Sequence, residues 1–185
     1  DDDGTTDTDT LTVAVNDVSP TASLTGDTSV NEGSPANFDA SGSTAGDPTD
    51  AITSYDWDWD SDGTYDLTGA TATESHTYMD NGTYTITVRV NDEDSSTIAT
   101  HQITVNDLGP TAALTFTPAN PTEIQTVTFD ATGSTSYPDA IILYEFDWDN
   151  DNNYDYTETS TNAPDGNFDG ITTHTFPDNV VRERM

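Results

Sequence analysis

The chain has 185 residues, with 35 Asp and Glu against 3 Lys and Arg, and a formal net charge of −32. No basic patch exists to meet phosphates, which excludes nucleic acid and anionic membrane surfaces as partners. Cys is absent, so disulfides cannot staple the fold, and no run of about 18 apolar residues offers a membrane span. A hydrophobic content of 31% lies close to that of disordered chains. Alternating segments argue for folding instead, because they collect the apolar residues on one face. Self-repulsion at this charge calls for screening by salt or neutralisation by bound cations.

In chain order, Asp1-Asp2-Asp3-Gly4 reads as a turn. Thr10 to Asn16 reads as a strand with Leu11, Val13 and Val15 on one face. Pro20-Thr21-Ala22 opens a new segment. Asn37 to Ala40 is a short strand, Ser41-Gly42-Ser43 a turn, and Asp47-Pro48 a loop. Tyr55-Asp56-Trp57-Asp58-Trp59-Asp60 then alternates aromatic and acidic residues, as a strand with an aromatic face and a carboxylate face. Ser75 to Tyr78 is another short strand, and Asn81-Gly82 is a hairpin signal. Beyond it Tyr84, Ile86, Val88 and Val90 alternate with polar residues as a half-buried strand. Asp92 to Asp94 turn the chain, and Ile98 to Val105 closes the segment.

The pattern then repeats. Asn16 and Asn106 are 90 residues apart, Phe38 and Phe129 are 91 apart, and Trp59 and Trp148 are 89 apart. A period near 90 is module-sized. The expected organisation is residues 1–17 as the terminal strand of a preceding module, 18–107 as a first module and 108–185 as a second. His76 and His174 are 98 apart, which places an insertion of about nine residues between Tyr156 and Ile171. It reads as an extended polar loop. Val180 to Met185 replaces the Gly-Thr-Tyr strand that should follow, so the second module is expected to lack its last strands. The expected account is a truncated or frame-shifted fragment of a longer array. Head-to-tail donation of the N-terminal strand of another copy is the less favoured account, since it supplies one of two missing strands. An open sheet edge would favour association.

The acidic strand runs into a loop with an Asp at alternate positions. Asp58, Asp60, Asp62 and Asp66 occupy loop positions 1, 3, 5 and 9, with Gly63 at the sharp turn and the Thr64 carbonyl as a further donor. The second copy offers Asp147, Asp149, Asp151 and Asp155. Glu158 stands at position 12, and Asn152 replaces the Gly, since Asn also visits left-handed conformations. Alternating oxygen donors in a tight turn suit calcium, which takes six to eight oxygens in flexible geometry. No helical pattern flanks either copy, so these are not EF-hands. The competing reading is a solvated acidic turn; the spacing's occurring twice favours calcium.

The ordered motifs Phe38-Asp39-Ala40-Ser41-Gly42-Ser43, Tyr55-x-Trp57-Asp58-Trp59, Asp62-Gly63, His76-Thr77-Tyr78, Gly82 to Val88 and Val105-Asn106-Asp107 resemble the PKD (polycystic kidney disease) domain. The family core is Trp-Asp-Phe-Gly-Asp-Gly. Here Trp59 takes the Phe position, and one extra residue before Asp62-Gly63 creates the alternating Asp loop. The resemblance implies an all-β protein of tandem immunoglobulin-like β-sandwiches, the second incomplete. It implies extracellular or cell-surface use, with any signal or anchor outside this chain.

No Gly-x-Ser-x-Gly or His-Glu-x-x-His motif appears, and carboxylate pairs are too common to mark a catalytic pair. The expectation is a non-enzymatic spacer or adhesion module, stiffened by calcium, whose partners are neighbouring modules of the same protein and a cell-surface protein or polysaccharide. The alternative is an accessory polysaccharide- or protein-binding module of a secreted hydrolase. An exposed row of aromatics would favour the alternative, and aromatics in the core would favour the spacer. His76 and His174 read as structural, and His101 as packed or at a sheet margin. Asn81-Gly82-Thr83 is also a glycosylation sequon.

Overall fold

The computed structural model describes residues 6–14 and 16–177. Among these the protein is all-β, with thirteen strands and no helix. The chain divides into two compact units. The first takes in the residues up to Val30, Pro35–Thr77 and Thr83–Val105. The second takes in Asn31–Ser34, Tyr78–Gly82 and the chain from Asn106 onward.

In the first unit, β1 (Thr25–Gly26), β3 (Pro35–Asp39) and β6 (Thr73–Thr77) form one sheet in the order β1-β3-β6. The other sheet has the order β2-β8-β7-β4-β5, from β2 (Ser29–Asn31), β4 (Ser54–Asp58), β5 (Leu67–Ala70), β7 (Gly82–Asn91) and β8 (Ser96–Asn106). The inward faces pack as a sandwich. Ala36 and Phe38 from one sheet and Trp57, Ile86, Val88, Val90, Ile103 and Val105 from the other are buried. Strand β4 is central, paired by β7 on one edge and β5 on the other. Its alternation therefore buries aromatics on the inner face, while the ladder and its neighbours enclose Asp56 and Asp58 on the other.

The second unit repeats five of these strands. β9 (Thr115–Thr117), β10 (Thr126–Asp130) and β13 (Ile171–Thr175) form a sheet in the order β13-β10-β9, matching β1, β3 and β6. β11 (Leu143–Phe146) and β12 (Tyr156–Thr159) pair alone, matching β4 and β5. No strand among the described residues matches β7 or β8, so β11 has a ladder on one edge only. The insertion falls between β12 and β13, as the spacing predicts.

Two expectations are corrected. Asn81-Gly82 is not a hairpin turn. The strand before it, β6, pairs with β3, whereas β7 pairs with β4, so the chain crosses between sheets there. The tight turn lies instead between the neighbouring strands β7 and β8, where the Asp92 carboxylate accepts the Asp94 and Ser95 N–H groups. The strand expected over Thr10–Asn16 is also absent from the described residues 10–14 and 16. Leu11 is 90% and Val13 71% exposed. Alternation alone does not hold a strand without a neighbour to satisfy its backbone. Val15, the Asp1–Gly4 turn and the break at Val180–Met185 lie outside the described residues.

Candidate metal centre

Strand β4 delivers Asp58 to the mouth of a loop that the carboxylates themselves shape. Asp58 is 3% exposed. Its Oδ1 accepts the Asp62 N–H at 3.3 Å and its Oδ2 the Gly63 N–H at 3.0 Å. Asp66 Oδ2 accepts the Trp59 N–H, and Asp62 Oδ1 accepts the Thr64 N–H. The reversal needs left-handed backbone at Ser61 (φ 57°) and Gly63 (φ 91°). Ser61 is secured by its hydroxyl, which donates to the Thr85 carbonyl.

The second loop repeats the same design. Asp147 Oδ1 accepts the Asp151 N–H at 3.3 Å and Oδ2 the Asn152 N–H at 2.9 Å, with Asp149 and Asn150 N–H groups added. Asp155 Oδ2 accepts the Trp148 N–H, and Asp151 Oδ1 the Asn153 N–H. Asn150 (φ 58°) and Asn152 (φ 69°) supply the left-handed residues. Burial pushes the Asp147 carboxyl up, but the four backbone N–H groups outweigh it and hold it below its ordinary value.

Carboxylate oxygens of Asp58, Asp60 and Asp62 lie within 4.8 Å of one another, as do those of Asp147, Asp149 and Asp155. This all-oxygen donor set is what a hard cation such as calcium takes. Asp66 and Asp151 act as the N–H acceptors described above, outside these two groups, and Thr64 enters the loop through its N–H. Glu158 is likewise not among the converging carboxylates. It sits on β12 opposite Tyr144, fully buried, where its Oε1 accepts the N–H groups of Asp169 and Gly170. Loop position 12 would need the chain to curl back as a helix does. Here it leaves as a strand, which advances about 3.3 Å per residue and carries Glu158 away.

The aromatic face supports both loops in the same way. Trp57 and Trp59 stack with ring centroids 5.1 Å apart, and Trp59 stacks on His76 at 4.9 Å. Phe146 stacks on Trp148 at 5.2 Å and Trp148 on His174 at 4.9 Å. Burial lowers the His76 imidazole pKa, against the raising influence of Asp66 and Asp60, which favours the neutral ring in this stack. His101 reaches the Asp27 carbonyl at the sheet margin. Behind the first loop, Asp56 is buried opposite Arg89. Oδ2 of Asp56 accepts from Arg89 Nε and Nη2 and from Asn91, and Oδ1 accepts the Gly69 N–H. Burial raises this carboxyl, but these donors outweigh it and keep it below the ordinary carboxylate range. The Arg89 guanidinium also lies 4.2 Å from the Tyr65 ring centre.

A further group, Asp17, Asp50 and Asp92, converges in the first unit, and Glu32, Asp107 and Asp139 converge in the second. Loop spacing gives no hint of either group. The signal available was the repeat itself: Asn-Asp recurs at 16–17 and 106–107, and Asp-Ala-Ile at 50–52 and 139–141.

No curated protein matches the chain. The sequence model of the PKD domain family matches residues 17–106. Domains of this family are generally non-catalytic immunoglobulin-like modules, typical of extracellular or surface proteins. With the sandwich and its ordered motifs in place, residues 17–106 of this chain belong to the PKD domain family.

Proposed function

We propose that the chain is a non-enzymatic spacer or adhesion segment of an extracellular multidomain protein, stiffened by calcium at its two Asp loops. The observation that carries the spacer reading is the fate of the aromatics. Trp57, Trp59 and Phe38 are buried in the first unit's own core, so they are not a platform for stacking sugars. The duplicated oxygen-donor loops support calcium. Asp58 and Asp60, or Asp147 and Asp149, would hold the ion, and its charge would offset the repulsion among the carboxylates gathered there. Binding to the folded state alone adds stability by mass action. In this reading the partners are neighbouring modules of the same protein and a surface protein or polysaccharide.

The test is a calcium titration of thermal unfolding at low and high NaCl, with Asp60→Asn and Asp149→Asn beside the parent. The expected result is a melting temperature that rises with calcium in the parent and rises less in each variant. If NaCl alone gives the whole gain and the variants respond like the parent, the loops are solvated acidic turns and the metal role is lost.

A further inference from the structure

We propose that Glu32, Asp107 and Asp139 form a separate calcium site in the second unit, independent of the two Asp loops. Glu32 is 1% exposed. Its Oε1 accepts the Leu108 N–H at 2.8 Å, while Oε2 is buried with no hydrogen-bond partner. A half-satisfied buried carboxylate is costly unless a proton or a cation compensates it. Carboxylate oxygens of Glu32, Asp107 and Asp139 come within 4.8 Å of one another, which makes the cost larger. The protein offers little to offset it. The chain has three Lys and Arg residues, of which Arg89 alone lies among the described residues, and it is bound to Asp56.

Glu32 cannot easily swing away to water. Its own N–H donates to the Asn106 carbonyl at 3.0 Å, the Gly33 N–H donates to the Tyr78 carbonyl at 2.8 Å, and the Ser34 N–H closes the turn on the Asn31 carbonyl. Gly33 is left-handed at φ 71°, and a Cβ there would meet the Tyr137 ring at 2.6 Å. The turn is thus seated closely, and the carboxylate is aimed at Asp107 and Asp139.

The repeat supplies an independent argument. Asp107 and Asp139 stand at the places that Asp17 and Asp50 hold in the first unit. There the third carboxylate is Asp92, from the β7–β8 turn. The second unit has no counterpart of those strands among the described residues, and Glu32 fills the third place. The same pair of positions thus gathers a third carboxylate in both copies, from different parts of the chain. Three carboxylates without nitrogen or sulfur donors suit calcium over zinc, and the exposed Asp107 and Asp139 leave the ion a path from solvent.

The test uses the full chain carrying Asp60→Asn and Asp149→Asn, so that the loop sites are weakened and their success or failure is read separately. Calcium chloride is titrated calorimetrically into this background, and into the same background with Glu32→Gln or Asp139→Asn. Gln keeps an oxygen for the Leu108 N–H, and Asp139 is exposed, so neither change should disturb folding. The background is expected to bind calcium, and each added substitution to weaken that binding by about tenfold or more. Unchanged affinity and stoichiometry in both variants would overturn the site. So would a Glu32→Gln protein that melts higher than its background while calcium leaves the background's melting temperature unmoved, because a proton would then be the compensation.

Discussion

The two Asp loops have the same shape and different surroundings. Each anchors its first Asp on the N–H groups four and five residues ahead, each bends through two left-handed residues, and each rests on a stack of two aromatics and a His. Yet Asp58 and Trp59 are buried, whereas Asp147 and Trp148 are only partly so. The difference is β7. In the first unit β7 pairs with β4, places Arg89 opposite Asp56, and gives Ser61 the Thr85 carbonyl. In the second unit, Glu145, the counterpart of Asp56, is exposed. Loop geometry is thus a local property of the Asp spacing, and burial is a property of the completed sheet.

The largest effects should separate the units by burial. Trp59→Ala should destabilise the first unit by about 3–5 kcal/mol, as for other buried aromatics. Trp148→Ala should cost clearly less, because its ring keeps contact with water. Urea unfolding followed by the remaining tryptophans measures both, and equal losses would dissolve the distinction.

Arg89→Met comes next. It strands Asp56 in a buried site and should cost about 2–4 kcal/mol in the same assay. The exposed counterpart change Glu145→Gln should stay within about 0.5 kcal/mol. The acid limb carries the same contrast. The Asp56 carboxyl is depressed in the folded state, so the stability it contributes is present above the ordinary carboxylate pKa. It is lost as pH falls through about 4 toward the lower folded value. Melting temperature followed from pH 6 to pH 3 should fall for the parent, and fall somewhat less steeply for Arg89→Met, which has lost Arg89's share of that contribution while the Gly69 N–H and Asn91 still donate to Asp56.

A smaller effect sharpens the comparison further. In EDTA, Asp58→Ala should cost about 1–3 kcal/mol, because the Asp62 and Gly63 N–H groups lose an acceptor that is itself buried. Asp147→Ala should cost less, although Asp147 accepts more N–H groups, since water can replace it. The reverse order would mean that local hydrogen bonds, not burial, set the loop's worth. Smallest of all, Gly63→Ala should cost about 1 kcal/mol through its left-handed backbone, while Asn152→Gly should be neutral or slightly stabilising by thermal melting.

Much of this was legible because it is local. Alternation marked β4, β7 and β8, and the Asp spacing together with Asn152 marked the left-handed turns. The period of the motifs placed the insertion between β12 and β13. Glu158 misled because a count of loop positions assumes a helical exit, and this chain leaves as a strand. Its counterpart in the first unit is Gly69, whose N–H binds Asp56. In the second unit a buried carboxylate instead holds the inserted loop through Asp169 and Gly170. Asn81-Gly82 misled because turn chemistry does not say which sheet the next strand will join.

By itself, the sequence determined the strand alternation, the repeat and the shape of the Asp loops, since each rests on contacts between residues close in the chain. Only the tertiary structure decided that Asp56 would be enclosed with Arg89 and that Glu32 would be buried beside Asp107 and Asp139. Those outcomes depend on groups dozens of residues apart being brought within a few ångströms; the repeat matches Asp107 and Asp139 to Asp17 and Asp50, but nothing along the chain encodes the arrival of Glu32 or of Arg89.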